Sequence, residues 1–182
     1  MSDLNYFTQD HFELLKEWSG KTKENTEEAD LAYESLTKAY KLTRLWAKNL
    51  QGKTFPNGFI KIRMAVTNPR NHFASYNLAR IYPEKDSSKE LAITVGISTN
   101  NFFCKIDTVR QGPKEISNKY EELRDAKDSH LVSELPIVEG LSLSMDELVN
   151  WSSREYEKMN PSYNDLIKLL DIEVATSVRT HD

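Results

Sequence analysis

One cysteine, Cys104, stands in a chain of 182 residues. A single thiol excludes an intramolecular disulfide and any zinc site built on several thiolates, and it fits a reducing compartment. Glycine and proline are also scarce, six of each. The glycines are too scattered for either phosphate-cradling pattern, Gly-x-x-x-x-Gly-Lys-Ser/Thr or Gly-x-Gly-x-x-Gly. No apolar run approaches the roughly 18 residues that a membrane-spanning helix needs. The opening Met1-Ser-Asp-Leu-Asn-Tyr-Phe7 has neither the basic nor the apolar stretch of a secretory signal, so a cytoplasmic location is expected. Internal repeats and low-complexity tracts are missing as well. With 38% hydrophobic and 29% charged residues, the composition is that of one globular core.

Catalytic signatures are equally thin. Neither His-Glu-x-x-His nor Gly-x-Ser-x-Gly occurs, and His11, His72, His130 and His181 are too far apart in sequence to imply a metal site. Asp125-Ala-Lys127 has the spacing of a metal-dependent nuclease, but it falls in a polar helical stretch rather than on a strand. Asp107 is the one acidic residue inside an expected strand, apart from the boundary Glu90. A Cys104–His72 nucleophile–base pair is conceivable, although burial as a structural thiol is the commoner fate of a lone cysteine. The expectation is a protein that is not an enzyme and has no cofactor and no metal.

What is present is pattern. Phe12, Leu15 and Trp18 recur at helical spacing between an N-capping Thr8 and a stop at Gly20. A long helix opens at Thr26 with Glu27, Glu28 and Asp30 in its first turn, where the helix dipole favours anions. Its apolar stripe is Ala29, Ala32, Tyr33, Leu36, Ala39, Tyr40, Ala47 and Leu50, interrupted by Thr43. From Phe59 the period falls to two. Ile60, Ile62, Met64 and Val66 alternate with Lys61 and Arg63, which predicts a half-buried strand through Val66. Further strands are expected over Tyr76–Tyr82, Leu91–Ile97 and Asn101–Val109. Their short turns favour an antiparallel meander. Phe102 and Phe103 are adjacent, so in a one-sided sheet only one of them should be buried. Helix returns at Glu115–Ala126. The stretch Asp125–Gly140, with Pro136 inside it, reads as irregular. A capping box at Ser144-Met-Asp-Glu147 opens another helix, and Pro161 starts a last short one through Leu170. The predicted fold class is α+β: N-terminal helices, an antiparallel sheet of about four strands, then C-terminal helices. It forms one domain over residues 1–172, with a flexible tail over 173–182.

The net charge of −4 conceals a strong segregation. From Ser35 to Pro83 there is no Asp or Glu, yet nine basic residues: Lys38, Lys41, Arg44, Lys48, Lys53, Lys61, Arg63, Arg70 and Arg80. The rest of the chain holds 15 basic and all 28 acidic residues, a net of −13. One side of a mildly acidic protein then carries a positive field, the footprint of a polyanion partner. The competing explanation is a basic face that pairs with the chain's own acidic segments. Lys41, Arg44 and Lys48 form a stripe at helical spacing. Lys61, Arg63 and Arg80 project from strands, and Arg70, Asn71 and His72 lie in the loop between them. Lys and Arg would hold phosphates, while Arg, Asn and His also read base edges. Tyr76, Tyr82 and Phe103 are candidates for stacking on a base. The expected partner is double-stranded DNA. The alternative is a protein-interaction module, such as an immunity, adaptor or phage inhibitor domain, that uses the acidic remainder.

Five stretches carry a resemblance: Phe7-Thr-Gln-Asp-His-Phe-Glu-Leu-Leu-Lys-Glu-Trp18, Ala79-Arg-Ile-Tyr-Pro83, Leu91-Ala-Ile-Thr-Val-Gly-Ile97, Phe103-Cys-Lys-Ile-Asp-Thr-Val109 and Leu143-Ser-Met-Asp-Glu-Leu-Val-Asn-Trp151. Across most of residues 5–170 the chain resembles the N-terminal DNA-recognition domain of McrB-type AAA+ modification-dependent restriction systems. The resemblance implies a specificity domain that selects DNA carrying a methylated or otherwise modified base, such as methylcytosine, in antiviral defence. It would do so for a separate AAA+ GTPase motor and a nuclease subunit. The five stretches are apolar patterns, so no base-pocket residue is carried over.

Overall fold

Extended backbone at Thr8 turns into helix α1 (Gln9–Trp18), and the Thr8 N–H donates to Nδ1 of His11, 3.2 Å away. That bond satisfies the capping residue's own amide from within the first turn. A computed structural model describes residues 6–61, 66–88, 90–109, 114–126 and 130–179 of the chain. Gly20 follows α1 with φ of 77°, a left-handed conformation that glycine adopts without a Cβ penalty. Thr26 caps helix α2 (Glu27–Thr54), its Oγ1 accepting the Ala29 N–H at 3.2 Å. The stripe expected along α2 is buried apart from the half-buried Tyr33, and Thr43 and Trp46 are buried with it. Thr43 does not interrupt the core, because its hydroxyl donates to the Ala39 carbonyl one turn back, at 3.2 Å. The Trp46 Nε1–H donates to Ser152 Oγ at 3.0 Å.

Strands β1 (Phe59–Lys61), β2 (Tyr76–Tyr82), β3 (Leu91–Ser98), β4 (Asn101–Thr108) and β5 (Val132–Pro136) pair antiparallel in sequential order. Helix α3 (Lys114–Asp125) precedes β5. Helices α4 (Ile137–Leu141) and α5 (Met145–Arg179) complete an α+β fold. Helices α1, α2 and α5 cover one face of the sheet. That face presents Ile81, Ile93, Val95, Ile97, Phe102 and Ile106 to Phe12, Leu36, Trp46 and Leu166. No helix among the described residues is long and apolar enough to cross a membrane.

Three expectations need correction. The described residues form five strands rather than about four, because β5 lies in the stretch expected to be irregular. Ser133 and Leu135 are buried while Val132 and Glu134 are exposed. Pro136 closes the strand at the sheet edge, where no ladder donor is required. The final helices are one. Pro161 sits exposed inside α5, while Met159, Ser162, Tyr163 and Leu166 around it are buried. Packing on both sides of the proline outweighs its missing N–H. Phe102 and Phe103 are both buried, Phe102 in the core and Phe103 on the outer face with the Lys105 ammonium over its ring. A Cβ on Gly96 would collide with Asn77 backbone and the Phe103 ring, so the missing side chain lets that ring lie across the strands. Finally, β1 is described only to Lys61, and Ile62, Arg63 and Met64 lie outside the described residues.

Candidate nucleic-acid interface

The acid-free stretch folds into contiguous elements: most of α2, then β1, the following loop and β2. Helix α2 packs across β1 and β2, while α4 lies against β4 and β5. The start of α5 packs against the C-terminal half of α2, which brings Asp146 beside Lys48.

Lys41, Arg44, Lys48, Lys61 and Arg70 are all exposed. None of the five makes an ion pair within 4.0 Å among the described residues. Two other cations of the stretch are partnered: Lys38 lies 4.0 Å from Glu34, and Arg80 Nε lies 3.8 Å from Asp107 Oδ2. Burial raises the pKa of Tyr40, and the charges of Arg44 and Arg80 oppose that rise. One guanidinium from α2 and one from β2 therefore act on the same hydroxyl. Tyr40 also lines a small cavity of about 60 Å³ with Asn68, Tyr76 and Asn77. The buried Asn77 Oδ1 there has no hydrogen-bond partner. Lys48 stands apart, in a shallow groove beside Asp146 at the start of α5.

The loop before β2 is tightly built. Asn68 Oδ1 accepts the N–H groups of Arg70 and His72 at 2.9 and 3.0 Å, the turn chemistry anticipated for Asn68-Pro69. Asn71 adopts φ of 59°, and its Nδ2 donates to the Lys23 carbonyl at 2.9 Å. His72 bridges to Thr22. Asn71 and His72 therefore fasten the loop to the connector after α1, and Arg70 is the loop side chain left extended into solvent. Arg63 lies outside the described residues. Among the stacking candidates, Tyr76 is 46% exposed. Tyr82 is fully buried and stacked on Phe59 with ring centroids 4.9 Å apart, and Phe103 is nearly buried.

A second concavity of about 730 Å³ occupies the outer face of the sheet, lined by Tyr76, Arg80, Asn101, Phe103, Lys105 and Glu134, among others. Tyr120 of α3 closes one end, its hydroxyl donating to the Ile106 carbonyl at 3.0 Å. Sequence reasoning missed Lys105, which falls outside the acid-free stretch. Strand parity held the signal, since Asn101, Phe103, Lys105 and Asp107 alternate onto one face of β4. No known protein family, curated protein or solved structure matches this chain.

Proposed function

We propose that this chain is a non-catalytic DNA-binding specificity domain whose β1–β2 side docks on the backbone of duplex DNA. The supporting observation is the set of five exposed cations, Lys41, Arg44, Lys48, Lys61 and Arg70, with no ion pair within 4.0 Å among the described residues, in a protein of net charge −4. Charges left unpaired retain their long-range field, which steers a polyanion. The McrB-like stretches support a methylated or otherwise modified target in a restriction system, with an AAA+ GTPase motor and a nuclease subunit as cytoplasmic partners.

Anisotropy titrations of plain and methylated duplexes at two salt concentrations test this reading. Affinity should fall steeply with salt. Lys61→Ala with Arg70→Ala should weaken every sequence alike and lower the salt slope by about 0.9 for each phosphate no longer neutralised. No binding to any duplex at low salt overturns the proposal. A second reading, a protein-interaction module, is favoured by Val138, 80% exposed on α4. Beside it lies a concavity of about 500 Å³ lined by Leu143, Trp151, Glu139 and Glu147. Partner co-purification without DNA affinity would select that reading.

A further inference from the structure

The register places four side chains in one row across the outer face of the sheet. Lys61 pairs with Arg80, Arg80 with Thr94, and Thr94 with Lys105. Arg80 and Lys105 thus flank Thr94, with Lys61 beyond Arg80. Thr94 is fully buried and its Oγ1 has no hydrogen-bond partner among the described residues; Arg80 Nε is likewise buried and donates no hydrogen bond there. Asp107 stands 3.8 Å from Arg80 Nε and 3.9 Å from Lys105 Nζ. Both distances exceed the roughly 2.7–3.2 Å of an N–H···O hydrogen bond. The carboxylate therefore supplies charge to the row without satisfying its donors. Buried polar atoms in a folded protein are paired as a rule. Arg80 lines the groove while Thr94 lies buried beneath it, so these two cross-strand neighbours mark where an acceptor oxygen of a ligand would be held once the Arg80 and Lys105 side chains shift aside.

The remainder of the groove indicates what that ligand carries besides its anion. Two residues along the strands, about 7 Å at the rise of extended chain, the next row holds Phe103, its ring laid over Gly96, with Glu134 paired opposite. A further 7 Å or so brings the exposed Tyr76 and the Asn101 amide at the β3–β4 turn. An aromatic floor, a carboxylate acceptor and an amide suit a nucleobase, which stacks on one face and hydrogen-bonds at its edge. The volume, about 730 Å³, lies within the range of small-molecule sites, roughly 300–1,000 Å³.

We propose that the outer face of the sheet binds a nucleoside phosphate, its phosphate on the Arg80–Thr94–Lys105 row and its base against Phe103 and Tyr76. The ligand is either a free nucleotide or an unpaired residue of single-stranded DNA. The inference is separate from duplex docking, which uses α2, β1 and the Arg70 loop.

The test titrates the full chain with a labelled 12-nucleotide DNA single strand, with the four nucleoside monophosphates, and with a duplex, at low salt. Binding of the single strand, weakened about tenfold or more by Lys105→Gln, supports the site with a polymer ligand. Saturable binding of a monophosphate with the same sensitivity supports it with a free nucleotide. Lys105→Gln should leave duplex affinity within about threefold. Thr94→Val, matched in shape, should weaken either ligand severalfold, and thermal melting checks that each variant folds. Absence of binding by both single strand and monophosphates, or binding indifferent to Lys105→Gln and Thr94→Val, overturns the proposal. Loss of duplex binding alone leaves it standing and overturns only the docking surface.

Discussion

The Cys104 thiol faces the core from β4, 3.9 Å from the Ser152 carbonyl, and burial, with the Glu155 charge adding to it, pushes its pKa up to about 12. Only the thiolate attacks an electrophile. A disulfide reagent at pH 8 should therefore leave the folded protein untouched over hours and react with one thiol per chain in denaturant; rapid labelling of the native state would contradict the burial. Glu155 behaves in the opposite sense. Burial raises its pKa, but hydrogen bonds from Lys158 at 2.7 Å and Ser133 at 2.6 Å, with the charges of Lys158 and His130, hold it below the usual carboxylate value. A carboxylate with a depressed folded pKa contributes stability above its unfolded pKa of about 4.3 and loses it as pH falls through the lower folded value. Thermal melts of Glu155→Gln should show a lower midpoint than the parent at pH 7, with the gap closing at the acid end. A gap that widened on acidification would refute this assignment. Burial was the expected fate of the lone Cys104, whereas the state of Glu155 was not legible, because it depends on Ser133 and His130 far along the chain.

Caps and stripes are local, and so they were legible. Thr8, Thr26 and Ser144 each precede a helix as expected. At Ser144 the N–H donates to Glu147 Oε2 at 2.7 Å, and the Glu147 N–H returns to Ser144 Oγ at 3.2 Å. Strand β5 was not legible, since Val132-Ser-Glu-Leu-Pro136 carries only alternating burial and gains its ladder from β4. Continuity through Pro161 was invisible for a related reason: residues on both sides of it are held by packing against the core. Proline inside a helix costs about 3 kcal/mol relative to alanine. Pro161→Ala should raise the melting temperature if α5 runs straight through this position. A fall would mean that the proline geometry itself is required for packing.

Across the whole molecule, nine cations without an intervening carboxylate stand against an otherwise acidic chain. Lys41 and Arg44 lie on an exposed helix face, where substitutions usually change stability by less than about 0.5 kcal/mol. Lys41→Glu with Arg44→Glu should therefore leave the melting midpoint nearly unchanged while abolishing duplex binding at physiological salt. Intact binding in that variant would remove α2 from the docking surface. Three cations of the acid-free stretch proved less available than their spacing suggested. Lys38 and Arg80 have carboxylate neighbours, and Lys53 donates to Asn150. The other five among the described residues are separated along the elements, which under the proposed docking favours contacts to phosphates over base edges.

Periodicity and capping determined the α+β class and the principal helices, and the run without carboxylates is itself a feature of the sequence. Those are properties of neighbours in sequence, which a single pass along the chain can weigh. The tertiary structure alone decided that Lys105 joins Arg80 and Thr94 in one row, that Asn71 and His72 are occupied in holding their loop, and that Tyr82 is sealed against Phe59. Each of these follows from strand register or from packing between distant segments, and the register of a sheet is fixed only when its faces pack.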